Sequence, residues 1–319
     1  MRKMKLISLV VPCFNEGAGV VAFHAAVSEV ARLMPTLEFE FLFVDDGSRD
    51  DTLAHLVQLA AADRRVRVVE LSRNFGKEAA LSAGLDFATG DAVIPMDSDM
   101  QDPPELIPAL VNGWMGGAEV VLARRSDRRS DSFLKRQTAR FFYRLHNRVS
   151  DIKIPENVGD FRLMDRVVVD ALRRLPERQR FMKGLFAWVG FRTAVVDYVR
   201  PVRNQGQSKF SGLRLWNLAM EGITSFSAVP LKAWTYIGGI GAVGALLYAA
   251  FIALRTLIFG VDVPGYASLF VAVLFFGSVQ LVGIGVLGEY IGRIYMEAKG
   301  RPVYLVRQLH EDKHGSDGV

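Results

Sequence analysis

The chain has 319 residues, half of them apolar, and a formal charge of +5, a length that supports a substantial buried core with residues to spare. One cysteine, Cys13, excludes an intramolecular disulfide framework, and one cysteine with five scattered histidines supplies no zinc set. The modest basic excess suits an anionic membrane face, an anionic substrate or nucleic acid equally, so charge alone selects no partner.

The basic start, Met1-Arg2-Lys3-Met4-Lys5, runs into a short strand without the apolar stretch of a signal peptide. Ile7 to Val11 is an apolar strand that enters the polar loop Pro12-Cys13-Phe14-Asn15-Glu16, and Cys13 reads as a small buried residue at the strand end. Glu38 to Val44 is a second strand, ending in Asp45-Asp46-Gly47-Ser48-Arg49-Asp50-Asp51-Thr52, where Gly47 supplies a turn and Asp50 or Asp51 caps the next helix. Arg67 to Leu71 is a third strand, followed by Arg73-Asn74-Phe75-Gly76-Lys77-Glu78 and a helix. A fourth, Ala92 to Pro95, leads into Met96-Asp97-Ser98-Asp99-Met100-Gln101-Asp102-Pro103-Pro104-Glu105. Strands alternating with helices predict an open α/β sheet that binds ligands at the strands' carboxyl ends, where all these polar loops fall.

The last of those loops carries the sharpest chemistry. Closely spaced carboxylates at the exit of a buried strand need a cation. Asp97 and Asp99 alternate by two, so they point the same way if the strand continues. Such a pair suits a hard divalent ion completed by water and substrate phosphates, which makes a nucleotide diphosphate the expected partner. The plainer reading is an acidic turn, with Asp102 before Pro103-Pro104 capping a helix.

Further on, Ala123 to Leu145 interleaves Arg124, Arg125, Arg128, Arg129, Lys135, Arg136, Arg140 and Arg144 with apolar and aromatic residues. That pattern fits a surface gripping an anionic headgroup against lipid. Residues 208–230 mix Phe210, Leu213, Trp216, Ile223 and Phe226 with Lys209, Arg214 and Glu221, as an interfacial amphipathic helix or a packing helix would. Trp234 to Leu254 and Ala267 to Leu287 contain no charge, and each is long enough to cross about 30 Å of hydrocarbon. Lys232 before the pair, and Arg293, Lys299, Arg301 and Arg307 after it, outweigh Arg255 in the connector. The bias places both termini and the catalytic domain in the cytoplasm. The hairpin favours a lipid phosphate over nucleic acid. Small residues such as Gly238 and Ala242 permit close helix approach in a homo-oligomer.

The motifs PCFNE, VDDGSRDDT, RNFGKEAALSAGL, MDSDMQDPPE, NVGDFRLM, ERQRFMKG, SKFSGLRLWNLAMEGITSFSAVPL and VLGEYIGRIY span roughly residues 5–307. Together they resemble the family 2 glycosyltransferases, and within them the bactoprenol-phosphate glucosyltransferases of bacterial O-antigen modification. The dolichol-phosphate-mannose and aminoarabinose undecaprenyl-phosphate enzymes are similar more distantly. The resemblance implies a GT-A (Rossmann-like) catalytic domain over residues 1–207, an interfacial region over 208–230, a transmembrane hairpin over 231–292 and a cytoplasmic tail over 293–319.

It also implies roles. Asp99 is the metal ligand, with Gln101 adding its carbonyl oxygen and Asp97 facing either the metal or the ribose; the ion is Mg²⁺ or Mn²⁺. Pro12, Phe14, Asn15 and Glu16 lie near the nucleoside, and Asp46, or its neighbour Asp45, accepts from the base imide N–H, which suits uracil. Arg73 and Lys77 serve the donor phosphates or loop closure. Arg124 and Arg136 hold the acceptor phosphate, joined by Arg203 and Lys209 from a loop that Gly206 renders mobile. Asp160 is the catalytic carboxylate, as general base or positioning group. The expected reaction is inverting transfer of glucose from UDP-glucose to undecaprenyl phosphate at the bacterial inner membrane. Another hexose, N-acetylhexosamine or aminoarabinose is the alternative sugar, and an inert nucleotide-sugar-binding scaffold the alternative class. A processive synthase is disfavoured by the lack of a QxxRW-type motif and by the single hairpin.

Overall fold

The computed structural model describes residues 4–125, 158–178, 180–198, 229–259 and 265–311. Arg136, Arg203, Lys209, residues 208–228 of the interfacial segment and the connector's 260–264 lie outside them. One compact unit is an eight-stranded mixed sheet with helices packed on it; two long C-terminal helices form a second.

In chain order the sheet unit runs β1 (Lys5–Cys13), α1 (Gly19–Arg32), β2 (Leu37–Asp45), α2 (Thr52–Ala62), β3 (Val66–Leu71), α3 (Lys77–Phe87), β4 (Ala92–Pro95), a 3₁₀ turn (Pro104–Leu106), α4 (Ile107–Met115) and β5 (Val120–Arg125). It continues with β6 (Val158–Asp165), α5 (Arg166–Arg173), α6 (Met182–Trp188), β7 (Thr193–Tyr198) and, after the long helices, β8 (Val306–His310). The spatial order is β7-β5-β6-β4-β1-β2-β3-β8. β4-β1-β2-β3 are parallel, β6 runs antiparallel between β4 and β5, and β8 runs antiparallel on the β3 edge.

The central strands are continuous apolar runs because helices cover both faces. Ile7 to Val11 is buried throughout, and its one polar residue, Ser8, donates its hydroxyl to Glu40. α1 turns Val20, Phe23, Val27 and Val30 inward at helical spacing, and Phe23 meets Phe43 edge-on at 6.2 Å. α3 is built of small residues for a different reason. A Cβ on Gly84 would stand 2.1 Å from Val10 Cγ1, so the helix lies against β1 at a distance that only glycine permits. β1 has β2 on one side and β4 on the other, so the crevice for a ligand opens at the carboxyl ends of β1 and β4.

In the second unit, α7 (Val229–Phe259) and α8 (Tyr266–Ala298) are longer than the spans read from charge alone. Both are long and apolar enough to cross a membrane, with mean hydropathy 2.1 over Tyr236–Phe259 and 1.3 over Phe275–Ala298. Leu247, Phe251, Leu257 and Leu281 stand well exposed, an apolar surface that water disfavours. Gly283 admits the Trp234 indole, which a Cβ there would meet at 2.1 Å. β8 lies in the segment read from sequence as a tail. Its neighbours fasten it: Ser72 N–H donates to the Leu305 carbonyl, Tyr304 to Asp86 at 2.7 Å, and Arg67 to Glu311 at 3.0 Å.

Candidate active site

At that crevice Pro12 near the end of β1, Phe14 and Glu16 after it, Asp46 after β2, Gly76 and Lys77 at the start of α3, and Asp97 and Asp99 after β4 line one open cleft. Asn15 does not line it. Its backbone is left-handed (φ 54°), its N–H donates to Ser48 Oγ at 3.0 Å, and its side-chain oxygen accepts from Arg49 N–H at 2.8 Å. Asn15 therefore splices the first loop to the second. Thr52 completes the splice by accepting the N–H groups of Glu16 and Gly17 on its hydroxyl, at 2.9 and 2.8 Å.

The second loop explains why two aspartates stand together. Asp46 accepts from Phe75 N–H at 2.7 Å and Gly76 N–H at 2.9 Å, one on each oxygen, and so shapes the entry to α3. A carboxylate has about four acceptor directions, so Asp46 keeps room for a base N–H. Asp45 beside it is buried and accepts from Ser48 N–H at 3.2 Å on Oδ2, while among the described residues its Oδ1 has no hydrogen-bond partner. Burial pushes both carboxyls above their usual range. Asp50, rather than Asp51, caps α2 by accepting from Thr52 N–H at 3.1 Å.

Strand geometry ends at Pro95, so the expected alternation of Asp97 and Asp99 along a strand does not hold. The pair lies in a turn that Met100 kinks with φ 57°, and the two carboxylates take different partners. Asp97 receives Lys77 Nζ at 2.6 Å, and Asp99 receives the Gln101 side-chain amide. Lys77 also reaches Asp160 on β6 at 3.1 Å, so one ammonium bridges the β4 loop and the neighbouring strand. Burial would lower the Lys77 pKa, but Asp97 and Asp160 raise it above the ordinary lysine value. Burial likewise pushes Asp160 up, yet Lys77 and Lys183 outweigh it and hold the carboxyl below its usual range. Asp160 is ionised, with one buried oxygen, Oδ1, left unpartnered.

The site fits a divalent cation. Glu16 is raised by burial and then by Asp99 and Asp97, a build-up of negative charge that a cation would relieve. Among the described residues no three His, Cys, Asp or Glu side chains form a ready-made metal cage. An ion here would draw the rest of its shell from substrate phosphates and water.

Three features escaped the sequence reading. Glu78 is half-buried and faces Asp160; burial and that neighbouring charge lift its carboxyl to about 7, while it accepts from Met182 N–H at 3.2 Å. Arg162 is buried behind Asp160, donates to the Gly159 carbonyl at 2.6 Å and lies 4.1 Å from the Phe186 ring; burial lowers its pKa to about 10. Asp102 caps nothing, since Pro103 precedes the 3₁₀ turn; it accepts instead from Tyr198 Oη at 3.1 Å. Arg124 makes a two-pronged pair with Asp197 on β7, at 2.6 and 2.8 Å, whereas Arg125 turns toward Asp102 and Tyr198. Only the sequence neighbourhood of Glu78 and Arg162, inside RNFGKE and GDFRLM, offered any signal.

Comparison with known proteins matches the pattern of "Glycosyl transferase family 2" to residues 8–173. The SfII prophage-derived bactoprenol glucosyl transferase of Shigella flexneri is 56% identical over 304 residues, covering 95% of this chain and 98% of that protein. A prophage bactoprenol glucosyl transferase homolog of Escherichia coli (strain K12) is 54% identical over 303 residues, covering 95% and 99%. Among solved structures, glucosyl-3-phosphoglycerate synthase from Mycobacterium tuberculosis, in complex with Mn²⁺, UDP and phosphoglyceric acid, is 23% identical, covers 69% of this chain and 76% of its own, and has a TM-score of 0.44.

Proposed function

The chain belongs to glycosyltransferase family 2, and from that premise we propose that it transfers glucose from UDP-glucose to undecaprenyl phosphate, with inversion, at the cytoplasmic face of a bacterial inner membrane. The observation that carries this reading is the cleft at the β1/β4 crevice, where Asp97, Asp99, Lys77 and Asp160 converge. The likeness to bactoprenol glucosyl transferases supports the lipid acceptor, since it extends through the apolar hairpin.

Asp46 receives the uracil imide N–H on its free acceptor directions, and Pro12, Phe14 and Glu16 wall the nucleoside. Asp99, with Asp97 and Gln101, would hold Mg²⁺ or Mn²⁺, which when bound neutralises the departing diphosphate. Lys77 stands between donor and acceptor sides and offsets the charge of two anions brought together. Asp160, held ionised, orients the attacking phosphate. A phosphomonoester is largely dianionic at neutral pH, its second pKa being about 6, so deprotonation is a minor need. Arg124 binds the acceptor phosphate by exchanging Asp197 for it, a swap of one bidentate anion for another. Arg136, Arg203 and Lys209 are assigned to the same phosphate.

The test is transfer from a panel of labelled nucleotide sugars to undecaprenyl phosphate by the full-length protein. Asp99→Asn and excess chelator should each nearly abolish transfer while the protein stays folded. Full turnover in chelator would remove the metal from the mechanism. Preference for N-acetylglucosamine or aminoarabinose would replace glucose, and no turnover with any donor would favour the inert scaffold.

A further inference from the structure

Asp102 is a carboxylate of the β4 loop that is only 6% exposed. Its Oδ1 accepts from Tyr198 Oη at 3.1 Å and lies 3.8 Å from Arg125 Nη2, while Arg125 Nε donates to Tyr198 Oη at 3.1 Å. Arg125 and Tyr198 are paired residues of the parallel strands β5 and β7, so their side chains stand together on the sheet before Asp102 joins them. The same cluster touches the strand bearing Asp160. A Cβ on Gly159 would lie 3.6 Å from Arg125 Nη2, and the Tyr198 ring meets Phe161 edge-on at 6.4 Å.

We propose that Asp102, Tyr198 and Arg125 form a positioning triad that fixes the metal-binding loop against the strands of the acceptor side. The inference rests on the metal reading of Asp99 and Gln101 above. Gln101 immediately precedes Asp102, and Asp99 and Gln101 hydrogen-bond to each other, which shapes the turn without fixing its place in the molecule. Asp102 does fix it. A buried carboxylate is strongly disfavoured without its partners, so the loop has one low-energy seat, beside Arg125 and Tyr198. Pro103 and Pro104 follow at once and limit the swing of the chain on the other side. Donor half and acceptor half of the sheet are thereby held in one geometry, which transfer between two bound anions requires.

The experiment uses full-length protein in detergent, with Tyr198→Phe as the mild variant and Asp102→Asn and Asp102→Ala as graded ones. Mn²⁺-dependent binding of UDP is measured by calorimetry, beside thermal unfolding and steady-state kinetics. Tyr198→Phe should keep the fold and raise the Mn²⁺ needed for half-maximal UDP binding by about tenfold, the usual cost of losing an outer partner of a metal site. Asp102→Ala should exceed it, and Asp102→Asn should fall between, because an amide oxygen still accepts from the tyrosine. kcat should fall more than the donor KM rises once Mn²⁺ is saturating. If Tyr198→Phe lowers only the melting temperature and leaves the Mn²⁺ dependence unchanged, the triad is structural and the inference fails while the metal reading stands. If the parent binds UDP equally well without any divalent ion, the metal reading fails, and the inference with it.

Discussion

Lys77, Glu78 and Asp160 come from two segments about eighty residues apart, and their charges acquire meaning only where β6 passes α3. Glu78 is the informative member because its carboxyl sits at about 7, raised by burial and by Asp160. A raised acid costs nothing while protonated and destabilises the fold progressively as pH climbs from its ordinary 4.5 toward 7. Glu78→Gln keeps an acceptor for Met182 N–H and removes that charge. It should therefore melt above the parent at pH 8, by up to about 3 kcal/mol in stability at about 1.4 kcal/mol per pKa unit, and gain little near pH 4.5. Equal gains at both pH values would mean that packing, not ionisation, is responsible. The place of Asp46, Asp99 and Pro12 at the cleft was legible in the sequence, Asp99 through the chemistry of its acidic loop and Asp46 and Pro12 through the family resemblance. Glu78 and Arg162 were not, since nothing local distinguishes a buried charge from a solvated one; their partners Met182 and Phe186 arrive by tertiary packing.

Elements were legible where hydrophobic runs and turn residues agreed, and obscure where pairing was non-local. β1 to β4, and the polar loop at each carboxyl end, follow from apolar runs closed by Gly, Asp and Pro. β6 does not. Its antiparallel insertion between β4 and β5 depends on partners such as Ala92↔Asp165 and Val121↔Leu163, which no local pattern encodes. The β2–α2 loop is the clearest case of an element dictated by one residue. Gly47 has φ 67°, and a Cβ there would lie 2.5 Å from the Arg73 carbonyl carbon and 2.6 Å from Asn74 N. Gly47→Ala should destabilise the fold by about 1–3 kcal/mol for the left-handed backbone alone. It should also push the residue 73–76 loop off Asp46, so UDP binding should weaken even in molecules that remain folded. Calorimetric titration with UDP beside a melting curve checks both; unchanged binding would show that the loop yields without disturbing Asp46.

At the scale of the whole molecule, the order of the chain restricts how its two units can be connected through a bilayer. The chain leaves the catalytic unit, passes through α7 and α8, and is back in the catalytic sheet at Val306, hydrogen-bonded along β3. If both helices cross, an even number of crossings is the only number that returns β8 to β3. The hairpin was legible from its two uncharged runs, whereas β8 was not. Val-Arg-Gln-Leu-His is short and mostly polar, and becomes a strand only because β3 offers an open edge and Glu70 meets both Arg307 and His310, at 3.3 and 3.0 Å. Charge bias predicts the direction: with Lys232, Arg293, Lys299 and Arg301 flanking the hairpin's ends on the cytoplasmic side, the turn would lie outside. A cysteine at Gly265, which precedes α8, should therefore react in intact cells with an impermeant thiol reagent. One at exposed Arg301 should react only after the membrane is opened, and native Cys13, buried at the end of β1, should stay silent in both. Labelling of Arg301→Cys but not Gly265→Cys in intact cells would invert the orientation. Labelling of both from outside would deny that the hairpin crosses at all, and the exposed apolar faces of α7 and α8 would then have to be covered by protein instead of lipid.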